Sequence, residues 1–416
     1  MNNALSYLFQ TFASHGKALY IVGGAVRDAL LGEAVHDYDL CTDALPNEMT
    51  AWFDHTVEIG RRFGTIGVIL DGNLYEITTF RSDKSYSDSR HPDQVVFSTN
   101  VQEDVQRRDF TINSLLLDQN GVIIDYTGGL SDLSAGLIRA IGNPSDRFNE
   151  DCLRKWRCVR LAAEKRMEIE PATKLAIKTT PGCQSVSIER IQTELNRILL
   201  CDRPAWGGYL LVSTGLYADL LNRVLPDPQC IPTLSLIDGF ELAAYLPPVL
   251  ELRLAALLLN LMPTDQVAFL KAMRYSNALS DKALHYAQAV CCDADDDIVA
   301  FKKMLADFAP AEWERMIAFQ RAFAKWSGDA SRALKVDTNA ALCHKTFRQH
   351  HPLTIKELAI NGNDLQKKGL TGKAIGQTLN LLRDYVLRYP EENTKEKLYA
   401  YLEREYYGKI DISKSH

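Results

Sequence analysis

The hydrophobic periodicity of this chain changes once, near residue 145, and that change limits the fold more than any other feature. Before it, short strand-like runs mix with helical stretches. "ALYIVG" (18–23) reads as a buried strand, "AVRDALLG" as a short helix stopped by Gly32, and "DYDLCT" (37–42) as a second strand. Pro46 opens a helix in "LPNEMTAWF", and "RFGTIGVILDGNLYEITTFR" (62–81) reads as two strands around the turn "DGN". "SDKSYSDSRHPDQ" (82–94) has almost no apolar content and reads as a loop, while "EDVQRRDFTINSLLLD" (103–118) returns to helix and then to strand or helix. After residue 145 the strand patterns vanish. Apolar residues recur at helical spacing in "CLRKWRCVRLAAE", "IERIQTELNRILL" and "IGQTLNLLRDYVLRY". The expectation is an α+β head, with a mixed sheet and helices, on an all-α remainder. No repeat of constant period is visible, so a solenoid is not expected.

Composition narrows the class. The chain has 416 residues, 46% hydrophobic and 24% charged, which describes a globular protein with room for several domains. No run of about 18 apolar residues suggests a membrane span, and the first residues show no basic region followed by an apolar one. The nine cysteines form no framework and no C-x-x-C, which points to a reduced, cytoplasmic interior. "CCDADDD" (291–297) reads as a solvated acidic loop. The net charge of −6 opposes a polyanionic partner overall, but residues 144–204 carry 12 Lys/Arg against 9 Asp/Glu, and residues 331–416 carry 15 against 10. A protein that touches a polyanion along one strip needs only local positive charge.

The chemistry concentrates in "GGAVRDALLGEAVHDYDL" (23–40). Gly23 and Gly24 after a strand let the backbone approach a phosphate, and Arg27 offers a fork of donors to phosphate oxygens. Asp37 and Asp39, two apart on a strand, would project from one face. Two carboxylates aimed at one point repel unless a cation lies between them, and oxygen ligands on a rigid element suit Mg²⁺. Glu76 in "YEITTF" is a candidate third carboxylate. In "RRDFTIN" (107–113), Arg108, Asp109 and Asn113 offer donors and acceptors to a triphosphate or a ribose; a capped helix end would use the same residues. In "EDCLRKWRCVR" (150–160), Asp151 and Arg154 would be neighbours on a helix, continued by Arg157 and Arg160. An acceptor beside a donor matches the amino group and ring nitrogen of cytosine or adenine, and mismatches uracil and guanine. A plain salt bridge on a solvated face is the competing reading.

Taken in order, "GGAVRDALLG", "DYDLCTDALP", "YEITTFR", "RRDFTINSL", "EDCLRKWRCVRLAAE" and "SIERIQTELNRIL" resemble the class II tRNA nucleotidyltransferases, in particular bacterial CCA-adding enzymes of the compact type. The resemblance spans most of the chain and is densest over 20–200. It implies a catalytic head (1–140), a neck with the base-reading helix (141–205), a helical body (206–330) and a helical tail (331–416). It implies template-independent addition of C, C and A to the tRNA 3′ end from CTP and ATP, with Mg²⁺ as cofactor. The tRNA would be held at its acceptor end and elbow. By the same resemblance Asp37 and Asp39 are the metal aspartates, Gly24, Arg27 and Arg108 contact nucleotide, and Asp151 with Arg154 reads the base. Glu189 and Arg190 would support that helix, and the loop 82–94 would help the change from C to A. Cys152, Lys155 and Trp156 depart from the residues usual at those places. Enzymes adding only A or only CC, poly(A) polymerase, and a non-catalytic tRNA-binding protein remain as alternatives. A phosphohydrolase is set aside because no His-Asp dipeptide follows residue 37. Oligomeric state is open.

Overall fold

The computed structural model describes residues 3–35, 37–84, 94–225, 236–290 and 292–404. The chain divides into two compact units: residues 1–230 with 271–274, and residues 231–270 with 275–416.

The first unit begins with helix α1 (Asn3–Ser14) and strand β1 (Leu19–Val22). Helix α2 (Gly24–Leu30), strand β2 (Asp39–Thr42) and helix α3 (Pro46–Trp52) follow. Next come β3 (Thr56–Gly60), β4 (Thr65–Leu70) and β5 (Asn73–Thr79), then β6 (Arg81–Lys84) and β7 (Gln94–Phe97). Helix α4 (Val101–Gln106) leads to the short strands β8 (Leu116–Leu117) and β9 (Ile123–Ile124). Seven strands form one sheet in the order β3-β4-β5-β2-β1-β8-β9. Only β2 and β5 in this sheet run parallel; the other neighbours are antiparallel.

The alternation legible in the sequence places the core. In β5, Tyr75, Ile77 and Thr79 are buried while Leu74 and Glu76 face outward. Ile21, Leu40, Ile66, Val68 and Ile77 join Leu5, Leu8 and Phe12 of α1 and Met49 of α3 in one cluster. Val22, Cys41, Phe80, Val105 and Leu116 form a second cluster. The central strands β1 and β2 are thus buried on both faces. Asp71 and Gly72 both take positive φ, 51° and 75°, between the partners Leu70 and Asn73. This is the backbone a two-residue Asp-Gly hairpin turn demands. The ends of the expected loop 82–94 are strand instead, β6 pairing with β7 antiparallel. Residues 85–93 lie outside the described residues.

The first unit continues as helices: α5 (Gly129–Ser134), α6 (Pro144–Glu150), α7 (Leu153–Lys165), α8 (Pro171–Thr179), α9 (Ile188–Leu200), α10 (Pro204–Ser213) and α11 (Leu216–Val224). A two-residue parallel pairing of 137–138 with 168–169 interrupts them. The second unit is helical throughout its named elements, from Asp238–Ala243 to Lys395–Leu402. Its segment Leu250–Leu258 buries seven consecutive residues from Leu252, and Leu358, Ile360, Leu382, Val386 and Leu398 form a cluster near the chain's end. The acidic loop there is anchored rather than merely solvated. Lys335 pairs with Asp293 and Asp296, and Asp297 caps the helix Ile298–Leu305. No described helix is long and apolar enough to cross a membrane.

The cysteine expectation needs one correction. The start of α7 and the segment after α8 bring Cys152 and Cys183 to a Cα–Cα distance of 5.4 Å, and a disulfide joins them. Among the described residues Cys41, Cys158 and Cys343 are buried thiols outside this bond.

Candidate active site

Gly23 takes φ 79° and ψ −135° as the chain leaves β1 for α2, a backbone that only glycine adopts without strain. That turn forms one wall of a cavity of about 670 Å³ in the first unit. Gly23, Gly24 and Arg27 line it from the turn and α2, and Asp37 and Asp39 from the approach to β2. Arg108, Asp109 and Asn113 enter from the segment after α4, and Asp151, Arg154, Arg157 and Arg160 from the start of α7. Every site residue read from the sequence lines this cavity except Glu76.

The two aspartates differ from expectation in how they are held. Asp39 opens β2 and is fixed by Val22 on one side and Glu76 on the other. Asp37 lies before the strand, so the shared face comes from the connecting segment and not from strand alternation. Burial raises the Asp39 pKa, Arg108 opposes the rise, and Asp37 adds to it. Two anions facing one space with Arg108 as partial counter-charge is a donor set that favours a bound cation. Two carboxylates also leave most of an octahedral shell open for substrate oxygens, as Mg²⁺-sized ions prefer. Glu76 is largely exposed on β5, and the partial burial of its carboxyl, then Asp39 and Asp37, raise its pKa. Among the described residues no three His, Cys, Asp or Glu side chains form a group that could hold a metal ion, and Glu76, the ladder partner of Asp39, does not line the cavity.

The arginines fall into two kinds. Arg27 is buried, its Nε donating to Asp28 Oδ1 at 2.8 Å and its Nη1 to Asn113 Oδ1. Arg108 donates to Asp104 Oδ2 at 2.9 Å and Arg107 to Asp104 Oδ1 at 2.6 Å; Asp104 is wholly buried. These cations are pre-aimed, which lowers the cost of receiving phosphates. Arg157 pairs with Asp109 at 2.7 Å, and Asp109 also accepts from Asn113. Arg160 donates to Glu194 at 2.5 Å and to Glu164 at 2.6 Å and is almost fully buried. Asp109 and Arg160, expected among the nucleotide contacts, line the cavity while each also takes part in an ion pair within the first unit.

Asp151 and Arg154 are not a helical salt bridge. Asp151 sits before α7 in extended backbone, and its Oδ2 accepts from Arg190 at 3.0 Å. Arg154 donates to Glu150 at 2.7 Å and to the carbonyl of Arg107 at 3.1 Å. Asp151 and Arg154 thus pair with Arg190 and Glu150 rather than with each other, and both border one cavity. Arg190 acts as the supporting residue it was expected to be. The sequence reading missed Asp104, Glu150 and Glu194. The signal for Asp104 was available, since acid followed by arginines at i+3 and i+4 pairs on a helix.

Carboxylates for a cation, aimed arginines for phosphates and a helix start for a base belong together where a nucleotide is transferred, and the class is a nucleotidyltransferase. A family model described as the poly A polymerase head domain matches residues 19–139, and one described as a probable RNA and SrmB-binding site of polymerase A matches 166–250. The CCA-adding enzyme of Lactobacillus helveticus is 33% identical over 409 residues, covering 95% of each chain. That of Geobacillus kaustophilus is 35% identical over 408 residues, covering 93% of each. The crystal structure of the Bacillus stearothermophilus CCA-adding enzyme in complex with CTP superposes with a TM-score of 0.77 at 30% identity, over 99% of this chain and 100% of that one. The chain belongs to the CCA-adding enzyme family, a branch of the tRNA nucleotidyltransferases.

Proposed function

We propose that this chain builds and repairs the 3′-terminal C-C-A of tRNA from CTP and ATP without a template, in the cytoplasm, using Mg²⁺ held by Asp37 and Asp39. The observation that carries the reading is the single cavity that joins the aspartate pair to Asp151 and Arg154. The cations, when bound, would lower the pKa of the attacking 3′-hydroxyl and neutralise the departing pyrophosphate. The remaining work falls to the chain. Gly23 and Gly24 let the triphosphate lie against backbone, and Arg27 and Arg108 place positive charge on it. The 3′-oxygen forms the new bond to the α-phosphorus as the bond to the bridging oxygen breaks, and pyrophosphate leaves.

Base choice would lie with Asp151 and Arg154. The Asp151 carboxylate accepts from the exocyclic amino group of C or A, and Arg154 donates to the adjacent ring nitrogen. Uracil and guanine bring a carbonyl to the carboxylate and an N–H to the guanidinium, so both contacts turn repulsive. The helical remainder, with its local excess of lysine and arginine, would hold the tRNA elbow by backbone and shape.

The test is a gel assay with purified protein, Mg²⁺ and a tRNA transcript ending at the discriminator base. CTP alone should add two residues, and ATP should complete the third. UTP and GTP should give almost nothing. Arrest at CC with both nucleotides present, or activity only on a CC-ended tRNA, would make this a partial enzyme of the same family.

A further inference from the structure

The segment 180–187, "TPGCQSVS", joins α8 to α9 and lies against the first turn of α7. Two attachments hold it there. Cys183 is bonded to Cys152, the residue after Asp151. Lys155, only 1% exposed, donates from Nζ to the carbonyls of Thr180 at 2.9 Å and Pro181 at 2.7 Å. Arg223 of α11 fixes the far side by donating to the Cys183 carbonyl at 3.0 Å. From the third residue of α9, Arg190 reaches Asp151 itself. Burying an ammonium is costly unless it is matched, and burial pushes Lys155 down to about 8, opposed by Asp219. A lysine kept there against that cost ties two loop carbonyls to the helix that starts beside Asp151.

We propose that Lys155 and the Cys152–Cys183 bond are positioning residues for base selection: together they brace segment 180–187 against the start of α7 and so fix where the Asp151 carboxylate stands. The proposal rests on the reading of Asp151 and Arg154 as the base-reading pair. It makes selection sensitive to redox state. A dithiol reagent such as dithiothreitol gives two electrons and two protons to the bridge; the S–S bond breaks, two thiols form, and the reagent closes into its cyclic disulfide. One of the two attachments is then lost next to Asp151, while the aspartates that hold the cation are untouched.

The experiment compares full-length protein purified under air with the same protein after dithiothreitol, the bridge being scored by non-reducing peptide mapping. The readout is the ratio of kcat/KM for CTP over UTP on one tRNA. Reduction should lower that ratio about tenfold, the size expected when one partner of a base edge is misplaced, and mainly by raising KM for CTP. Cys183→Ser should behave as reduced protein in either buffer, and Lys155→Met should lower the ratio with the bridge intact. A role in stability alone would depress kcat for both nucleotides and leave the ratio unchanged, which would overturn the proposal, as would mapping that finds no Cys152–Cys183 link in the air-purified protein. Asp151→Asn separates the two readings. If it abolishes discrimination while reduction and Lys155→Met do not, the brace alone fails; if it leaves discrimination intact, the base-reading assignment fails first.

Discussion

Asp104 shows how a residue that touches no substrate can govern an active site. It is fully buried, yet its two oxygens are divided between Arg107 and Arg108. Burial alone would raise its pKa; Arg108, then Arg107 and their hydrogen bonds outweigh it, and the carboxyl ends below its ordinary value. A depressed carboxylate contributes stability that is present above its unfolded pKa and lost as pH falls through the folded one. Asp104→Asn should therefore cost about 3 kcal/mol at neutral pH, the scale of breaking a buried ion pair by removing one partner. The difference from wild type should shrink as pH falls below the ordinary carboxylate range, because the wild-type group then protonates too. Urea unfolding at a series of pH values checks this, and a gap that persists in acid would contradict it. Asp37→Ala belongs to the opposite type: the fold should melt as wild type does, while nucleotide incorporation falls roughly a thousandfold or more. Wild-type incorporation by that variant would remove the metal assignment. Residue types and spacing made Asp37, Asp39 and Arg27 legible, because each sits in a short motif. The ion pairs of Glu194 with Arg160 and of Asp109 with Arg157 were not legible, since the partners come from other elements of the chain.

At the scale of elements, the periodicity foretold β1, α2, α3 and the β4–β5 hairpin, because apolar alternation and turn chemistry are local. It misplaced Asp37 and Asp151, both of which lie just outside the strand or helix assigned to them. Element ends are set by tertiary anchors, here the ladder partner of Asp39 and the ion pair of Asp151 with Arg190. The turn Thr111–Asn113 depends on such an anchor. A Cβ on Gly129, in the first turn of α5, would come within 2.2 Å of the Thr111 carbonyl oxygen. Backbone cannot yield there as a flexible side chain would. Gly129→Ala should thus push the turn away from α5, cost about 1–3 kcal/mol as overpacking does, and move Asn113 off Arg27. Thermal melting should show the loss, and KM for the nucleotide should rise with it. An unaltered KM in a destabilised protein would mean that Asn113 does not set the Arg27 geometry.

At the scale of the whole molecule, a net charge of −6 has to be reconciled with the proposed tRNA partner. Long-range attraction cannot do it, so binding must come from local patches, and the final stretch of the second unit carries one. Lys367, Lys368 and Lys373 are exposed around the end of the helix Gly362–Lys367 and the start of Lys373–Arg388. Each lysine that neutralises a phosphate releases counterions, so its removal weakens binding and flattens the salt dependence. Replacing all three by glutamate should raise KM for tRNA about tenfold or more and reduce the slope of log affinity against log salt by roughly two to three. KM for CTP, which is set in the first unit, should stay as it is. Steady-state kinetics at several salt concentrations separates the two constants. A tRNA KM that ignores the triple charge reversal would mean that the positive excess of residues 331–416 serves solubility, and that the polyanion is held by the arginine-rich residues 144–204 of the first unit instead.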